Sequence, residues 1–264
     1  MHIVQKGSGP PLVLIPGIQG RWEYLGAAVD ALATSFRVIT FSLCDEPSSG
    51  GRFERPGGVD SYVAHVVAVL DELQLDRAVI CGVSFGGLIA IRFAARYPGR
   101  TIALVLASTP GPGWHLHRRH LLYARMPRLL GPLFLIEAPR RLREELAATF
   151  PDRQARRRFV RSQLRILATA PLSLSRMAAR AQMISTSAIA DLAGGITVPT
   201  LVVTGERALD HVVSTDTSSD YQRLIRGARS LVLEHTGHLG VITRPGRFAA
   251  AIREFLEAAN HHAA

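Results

Sequence analysis

The sharpest chemical signal in the 264-residue chain is Gly82-Val83-Ser84-Phe85-Gly86-Gly87. It directly follows the apolar run Ala78-Val79-Ile80-Cys81 and directly precedes a helical pattern from Phe85 to Tyr97 that ends at Pro98-Gly99. A serine oxygen that is to act as a nucleophile must stand exposed at the end of a strand. A strand-to-helix turn this tight achieves that by forcing Ser84 into a strained backbone conformation. Gly82 and Gly86, two residues to either side, keep neighbouring chain from colliding with it. The helix starting at Phe85 also aims its N-terminal N–H groups and dipole at the reaction centre, where they favour negative charge. A bare G-x-S-x-G occurs by chance, and a purely structural tight turn is the competing explanation; the strand–turn–helix setting favours the catalytic one.

The rest of the chain supplies the elements that would carry this turn. Expected strands are Pro11–Pro16, Phe36–Phe41, Ala78–Cys81, Thr101–Ala107, Thr200–Thr204 and Ser230–Leu233. Between them fall helical patterns at Trp22–Thr34, Asp60–Leu73 (with Asp60 as N-cap), Phe85–Tyr97 and Arg247–Ala259. This alternation predicts an α/β fold: βαβ units and a mainly parallel sheet flanked by helices. Gly111 to about Ser187 breaks the rhythm. It holds only helical patterns, separated by Pro127, Pro132, Pro139, Pro151 and Pro171. The division expected is a core of residues 1–110 and 188–264, with residues 111–187 inserted as a helical cap.

Composition narrows the class. Apolar residues make up 47% and charged residues 20%, which suits a folded globular chain. No apolar stretch is long enough and free of charge to span a bilayer, and Met1-His2-Ile3-Val4 does not begin a secretory signal, so a cytoplasmic location is expected. Cys44 and Cys81 give no disulfide framework and are expected to pack as small hydrophobes; no Cys/His spacing suggests zinc. The net charge of +10 is local. Residues 111–185 contain 15 arginines, no lysine, three glutamates and one aspartate, for +11, so the remainder carries about −1. Arginine outnumbers lysine 30 to 1 over the whole chain, so a solvated arginine face is the simplest reading of the segment. A basic lid attracting anionic substrates, membranes or nucleic acid is the alternative. Aromatic residues are sparse there and no nucleic-acid-binding module is present, so neither a nucleic-acid partner nor stable membrane insertion is expected.

Taken together, the Ser84 turn and the order of elements resemble the α/β-hydrolase superfamily over nearly the whole chain. The resemblance implies an oxyanion hole built from the turn after an early strand, here Leu14-Ile15-Pro16-Gly17-Ile18-Gln19-Gly20, with the backbone N–H groups of Ile18 and Phe85 as donors. Pro16 stands where the family commonly has histidine, so bracing of that loop must come from elsewhere. The family's Gly-His pattern selects His238 as general base in Glu234-His235-Thr236-Gly237-His238, with His235 as rival. The family's Gly-x-x-Asp pattern is displaced: Gly205-Glu206-Arg207-Ala208-Leu209-Asp210 has alanine at the fourth position and Asp210 two residues later. Asp210 is the expected acid, with Glu206, Asp216 and Asp220 as fallbacks. The loop Ser42–Gly51 also departs from the family pattern, which bears on substrate choice or is neutral drift. Only one strand fits before Pro11, so the family's antiparallel first strand is expected to be missing.

Residues 111–185 match the position of the family's cap. Arg156–Arg165 suits an amphipathic helix with Val160, Leu164 and Leu167 inward, and Trp114, Tyr123, Met126 and Phe134 are expected in the lid core or lining the pocket. The implied activity is carboxylic-ester hydrolysis of a small to medium, mostly apolar substrate through an acyl-enzyme on Ser84, with neither metal nor organic cofactor. Peptide, lactone, thioester or carbon–carbon hydrolysis, acyl transfer and cofactor-free haloperoxidase chemistry use the same residues and stay open. A non-catalytic ligand-binding module is the alternative from another class. Dehalogenases and epoxide hydrolases of this fold are disfavoured, because they carry aspartate where Ser84 stands. Nothing in the sequence fixes the oligomeric state.

Overall fold

The computed structural model describes residues 1–50, 58–186 and 189–261. Gly51, and the expected boundary between segments at 187/188, lie outside the described residues. The strands are β1 (Ile3–Lys6), β2 (Pro11–Ile15), β3 (Arg37–Phe41), β4 (Ala78–Val83), β5 (Thr101–Ala107), β6 (Thr200–Thr204) and β7 (Arg229–Val232). They form one sheet in the order β1-β3-β2-β4-β5-β6-β7. Every pairing is parallel except β1 with β3, where Ile3 lies opposite Phe41. β1 is the single strand before Pro11. The helices are α1 (Gly26–Leu32), α2 (Val59–Glu72), α3 (Phe85–Arg96), α4 (Arg118–Arg125), α5 (Pro127–Thr149), α6 (Arg153–Thr169), α7 (Leu174–Thr186), α8 (Ala190–Gly194), α9 (Thr215–Leu224), α10 (Gly240–Thr243) and α11 (Pro245–His261).

The central strands read as continuous apolar runs because both faces of the sheet are covered. Val13, Ile15, Ile39, Ile80, Leu104 and Val202 point to one layer with α2, α3 and α8. Leu12, Leu14, Val38, Cys81, Val105 and Val203 point to the other, with α1 and α11. The period of two in each strand thus sorts side chains into two cores. Cys44 and Cys81 are both buried thiols within these layers.

Three local expectations are corrected. Asp60 does not cap α2: the N-cap is Gly58, and Asp60 sits inside the first turn, 3.4 Å from Arg96. Pro132 and Pro139 do not break the helix; α5 runs through both for 23 residues. α6 turns Phe159, Gln163 and Ile166 toward the protein, leaving Val160, Leu164 and Leu167 exposed, the reverse of the expected orientation.

Between β5 and β6 the described chain is helical only, from α4 to α8. These helices are tied to the sheet half of the molecule over long sequence separations. The Tyr24 hydroxyl donates to the Ala170 carbonyl at 2.8 Å, and the Thr149 hydroxyl donates to the His235 carbonyl at 2.7 Å.

Candidate active site

Ser84, Asp210, His238 and the Gly17–Gly20 turn all follow the carboxyl ends of parallel strands, the edge of an open α/β sheet where sites form. Ser84 has φ 53° and ψ −119°, between the last residue of β4 and the first of α3. A non-glycine residue held at positive φ is costly and persists only where its surroundings impose it. Here the Ser84 N–H donates to the Ala107 carbonyl at 2.8 Å, and the Ser84 carbonyl accepts from Gly87 N–H at 2.9 Å. The glycines are required by close approach: a Cβ on Gly82 would run into the Gly86 carbonyl, and one on Gly86 into the Ile15 carbonyl. Gly17, in the expected oxyanion turn, lies close enough that a Cβ there would sit 3.3 Å from the Ser84 Cβ.

The structure brings His238 and Asp210 together, with Nδ1 and Oδ2 3.5 Å apart. Asp210 is fixed from behind, its Oδ1 accepting the N–H groups of Val212 at 2.9 Å and Val213 at 2.8 Å. Burial alone would raise its carboxyl, but the nearby His238 charge and the two backbone donors more than offset this and hold it below the ordinary range. Burial likewise disfavours a charged His238, yet Asp210 and then Glu145 overcome it, so the imidazole holds its proton above the ordinary value of 6.5. The rivals fall away on geometry. His235 is exposed, its N–H held by Glu206 Oε1 at 2.6 Å. Asp216 pairs with Arg207 at 2.8 Å, and Asp220 with Arg223. The buried thiols of Cys44 and Cys81 are both pushed up by desolvation, Cys44 to about 12, which removes them as nucleophiles.

Two residues of the helical segment enter the site without having been singled out from the sequence. Arg180 on α7 is fully buried. It donates to the Ile18 carbonyl at 2.8 Å and to Asp45 Oδ1 and Glu46 Oε1 at 2.6 Å each, while Arg176 lies 3.0 Å from Glu46. The missing brace of the Pro16–Gly20 loop is therefore supplied by the helical segment and the loop after β3. Asp45 and Glu46 thereby give that loop a structural purpose. Glu145 on α5, also buried, accepts the Leu239 N–H at 2.7 Å and supports the His238 turn. Burial raises its carboxyl and the backbone donors of Gly237 and Leu239 oppose that rise.

Ser84 and His238 open onto a cavity of about 280 Å³ between the sheet edge and α4, α5 and α7. Its wall is mostly apolar, including Trp114, Phe134, Leu142 and Met177, with a polar corner at His120, Tyr123 and Arg141. Trp114, Tyr123 and Phe134 line it as expected; Met126 does not and is exposed.

A family model described as the alpha/beta hydrolase fold matches residues 10–245. The chain belongs to the α/β-hydrolase family. This α/β hydrolase is 30% identical to 2-hydroxymuconate semialdehyde hydrolase of Pseudomonas sp. (strain CF600), over 98% of the chain and 91% of that protein. It is 28% identical to pimeloyl-[acyl-carrier protein] methyl ester esterase of Stenotrophomonas maltophilia, over 98% and 97%. A stronger local match, 36%, to 2-hydroxy-6-oxo-2,4-heptadienoate hydrolase of Pseudomonas putida spans only 42% of the chain and 41% of that relative's length. Among solved structures, the enol-lactonase of Burkholderia xenovorans LB400 superposes with a TM-score of 0.77 at 23% identity, over 97% of the chain and 96% of its own. That likeness concerns the fold. The relatives are hydrolases of several kinds at modest identity, and no helix among the described residues is long and apolar enough to cross a membrane.

Proposed function

We propose that the protein is a serine hydrolase that cleaves a carboxylic ester, or a related acyl bond, of a small to medium apolar substrate. The observation that carries this is Ser84, strained at φ 53° on its turn and sharing one mostly apolar cavity with a His238 that is paired to Asp210. In the reaction, Ser84 Oγ attacks the substrate carbonyl as His238 Nε2 takes its proton. Asp210 holds the imidazole in orientation and balances its positive charge. The N–H groups of Ile18 and Phe85 receive the developing oxyanion, the latter at the N-terminus of α3. The imidazolium then protonates the departing alkoxide. Water, deprotonated by the same histidine, releases the acid and restores Ser84. Nothing in this sequence of steps calls for a metal or organic cofactor.

The cavity wall supports the substrate class: its mostly apolar lining suits an aliphatic or aromatic acyl group, and Arg141, His120 and Tyr123 offer one polar anchor in it. The relative named 2-hydroxymuconate semialdehyde hydrolase, aligned over almost the whole chain, favours a second reading, hydrolysis of a substrate of that type at the same serine.

The test is labelling with a fluorophosphonate, which reports an activated serine without the right substrate. One adduct on Ser84, absent from Ser84→Ala, is expected, followed by turnover of short-chain p-nitrophenyl esters. An unlabelled but folded protein would remove the hydrolase reading in favour of a ligand-binding module. A labelled protein inert toward esters but active on a semialdehyde of the second class would move the assignment to the second reading.

A further inference from the structure

Much of the segment's positive charge and six exposed aliphatic side chains, Leu129, Leu133, Ile136, Val160, Leu164 and Leu167, lie on the outer surface of α5 and α6. Of the 15 arginines in residues 111–185, Arg119 and Arg141 approach Glu137, and Arg176 and Arg180 approach Asp45 and Glu46. The other arginines of the segment have no ion-pair partner among the described residues. The segment's own carboxylates are engaged elsewhere. Glu144 meets His211 at 2.9 Å, Glu145 supports the His238 turn, and Asp152 caps α6 at the Ala155 N–H, 2.6 Å away.

On α5, Leu129, Leu133 and Ile136 recur at helical spacing on one outward face, with Leu129 and Ile136 each 72% exposed. Arg140 and Arg143 continue the same face. On α6 the outward stripe is Val160, Leu164 (58% exposed) and Leu167, interleaved with Arg157 and Arg161. A groove of about 690 Å³ lies between the two helices, where Pro139, Arg143 and Leu146 of α5 face Arg157, Val160 and Arg161 of α6.

We propose that this outer face of α5 and α6 docks on an anionic lipid bilayer, with Leu129, Ile136 and Leu164 entering the headgroup boundary and the arginines engaging lipid phosphates. Charge complementarity selects the occupant. A basic face with interleaved aliphatic side chains satisfies both the electrostatic and the apolar requirement of an interfacial helix, and each basic residue near an anionic surface contributes about fivefold in affinity. A nucleic acid would use the guanidinium groups but leave the leucines in water. A second copy of this chain would bring +11 against +11. The docking is adsorption, since no helix among the described residues can span a bilayer. It stands independently of the reaction assigned to Ser84.

The experiment is vesicle flotation of the full chain, comparing phosphatidylcholine alone with a mixture containing one-third phosphatidylglycerol, at low and moderate salt. The parent protein should float with the anionic vesicles at least about tenfold more strongly than with the neutral ones, and less at higher salt. Two surface variants separate the contributions: Leu129→Ser/Ile136→Ser/Leu164→Ser and Arg143→Gln/Arg157→Gln/Arg161→Gln. Each should lose about tenfold or more, with an unchanged circular dichroism spectrum and Tm. Equal binding to both vesicles, or none to either, overturns the proposal on the parent alone. Full binding by the serine variant overturns it in favour of undirected polycation attraction. Self-association of the parent in sedimentation equilibrium, abolished by the serine substitutions, would assign the face to a second copy instead.

Discussion

At the scale of single residues, the environment of His238 sets a pH dependence. A general base must be neutral to accept the Ser84 proton, while Asp210 and Glu145 stabilise the protonated imidazole. Because the folded-state value is raised, the unreactive form persists to higher pH than for a free imidazole. Ester kcat/KM should therefore rise with pH through a midpoint above 6.5. Asp210→Asn should move that midpoint down and lower kcat by about 10²–10⁴-fold, as expected when the imidazole loses its orienting carboxylate. Glu145→Gln should also shift the midpoint down, with a much smaller loss of rate, because Gln keeps an acceptor for the Leu239 N–H. A pH–rate profile of the three proteins reads both effects, and an unmoved midpoint in Glu145→Gln would deny that carboxylate its electrostatic part.

Among the elements, what could be read from sequence and what could not divides by range. The turn at Ser84, the strands and the helices that flank them are encoded by neighbours in the chain, and the fold expected from them is the fold observed. Asp210 was harder, because Ala208 occupies the usual position. The structure brings Asp210 to His238 all the same, since Val212 and Val213 N–H groups anchor it in the longer turn. Arg180 and Glu145 left no local trace: Arg180 answers to Asp45, 135 residues away, and Glu145 to Leu239, 94 away. The orientation of α6 is not encoded by its aliphatic stripe: Val160, Leu164 and Leu167 face outward, and the helix rests on Phe159, Gln163 and Ile166. These element contacts are testable. Gly86→Ala would force its Cβ against the backbone of β2 and should cost about 1–3 kcal/mol along with fluorophosphonate reactivity. Arg180→Met leaves Asp45 without its partner and Glu46 with Arg176 alone, and should cost about 3–5 kcal/mol by denaturant unfolding. Adding Asp45→Asn and Glu46→Gln should restore most of that stability but not kcat, because the Ile18 carbonyl remains unanchored. Full recovery of kcat in the triple variant would show that Arg180 matters for folding alone.

At the level of the whole molecule, charge is segregated: residues 111–185 carry +11 and the rest about −1. The helical segment that covers the cavity is therefore strongly positive, and Arg141 adds a charge within the cavity wall. For esters bearing a remote carboxylate, kcat/KM should fall severalfold as ionic strength rises, while that for neutral esters of equal size stays level. Paired stopped-flow or steady-state series at several salt concentrations distinguish this from a general salt effect on stability, which would move both alike.

The helices above Ser84 hold the site together as well as roofing it. Arg180 grips the loop that presents Ile18, and Glu145 grips the turn that presents His238, so both attachments leave if those helices swing away. Uncovering the cavity by that motion would release the oxyanion loop and the histidine turn at the same moment. Under the proposed chemistry, the arrangement able to react would then exist only around an enclosed guest, and an opened molecule would be a disarmed one. Substrate must enter while the helices remain seated, through the gaps between them, or else the machinery must be rebuilt around it on every turnover.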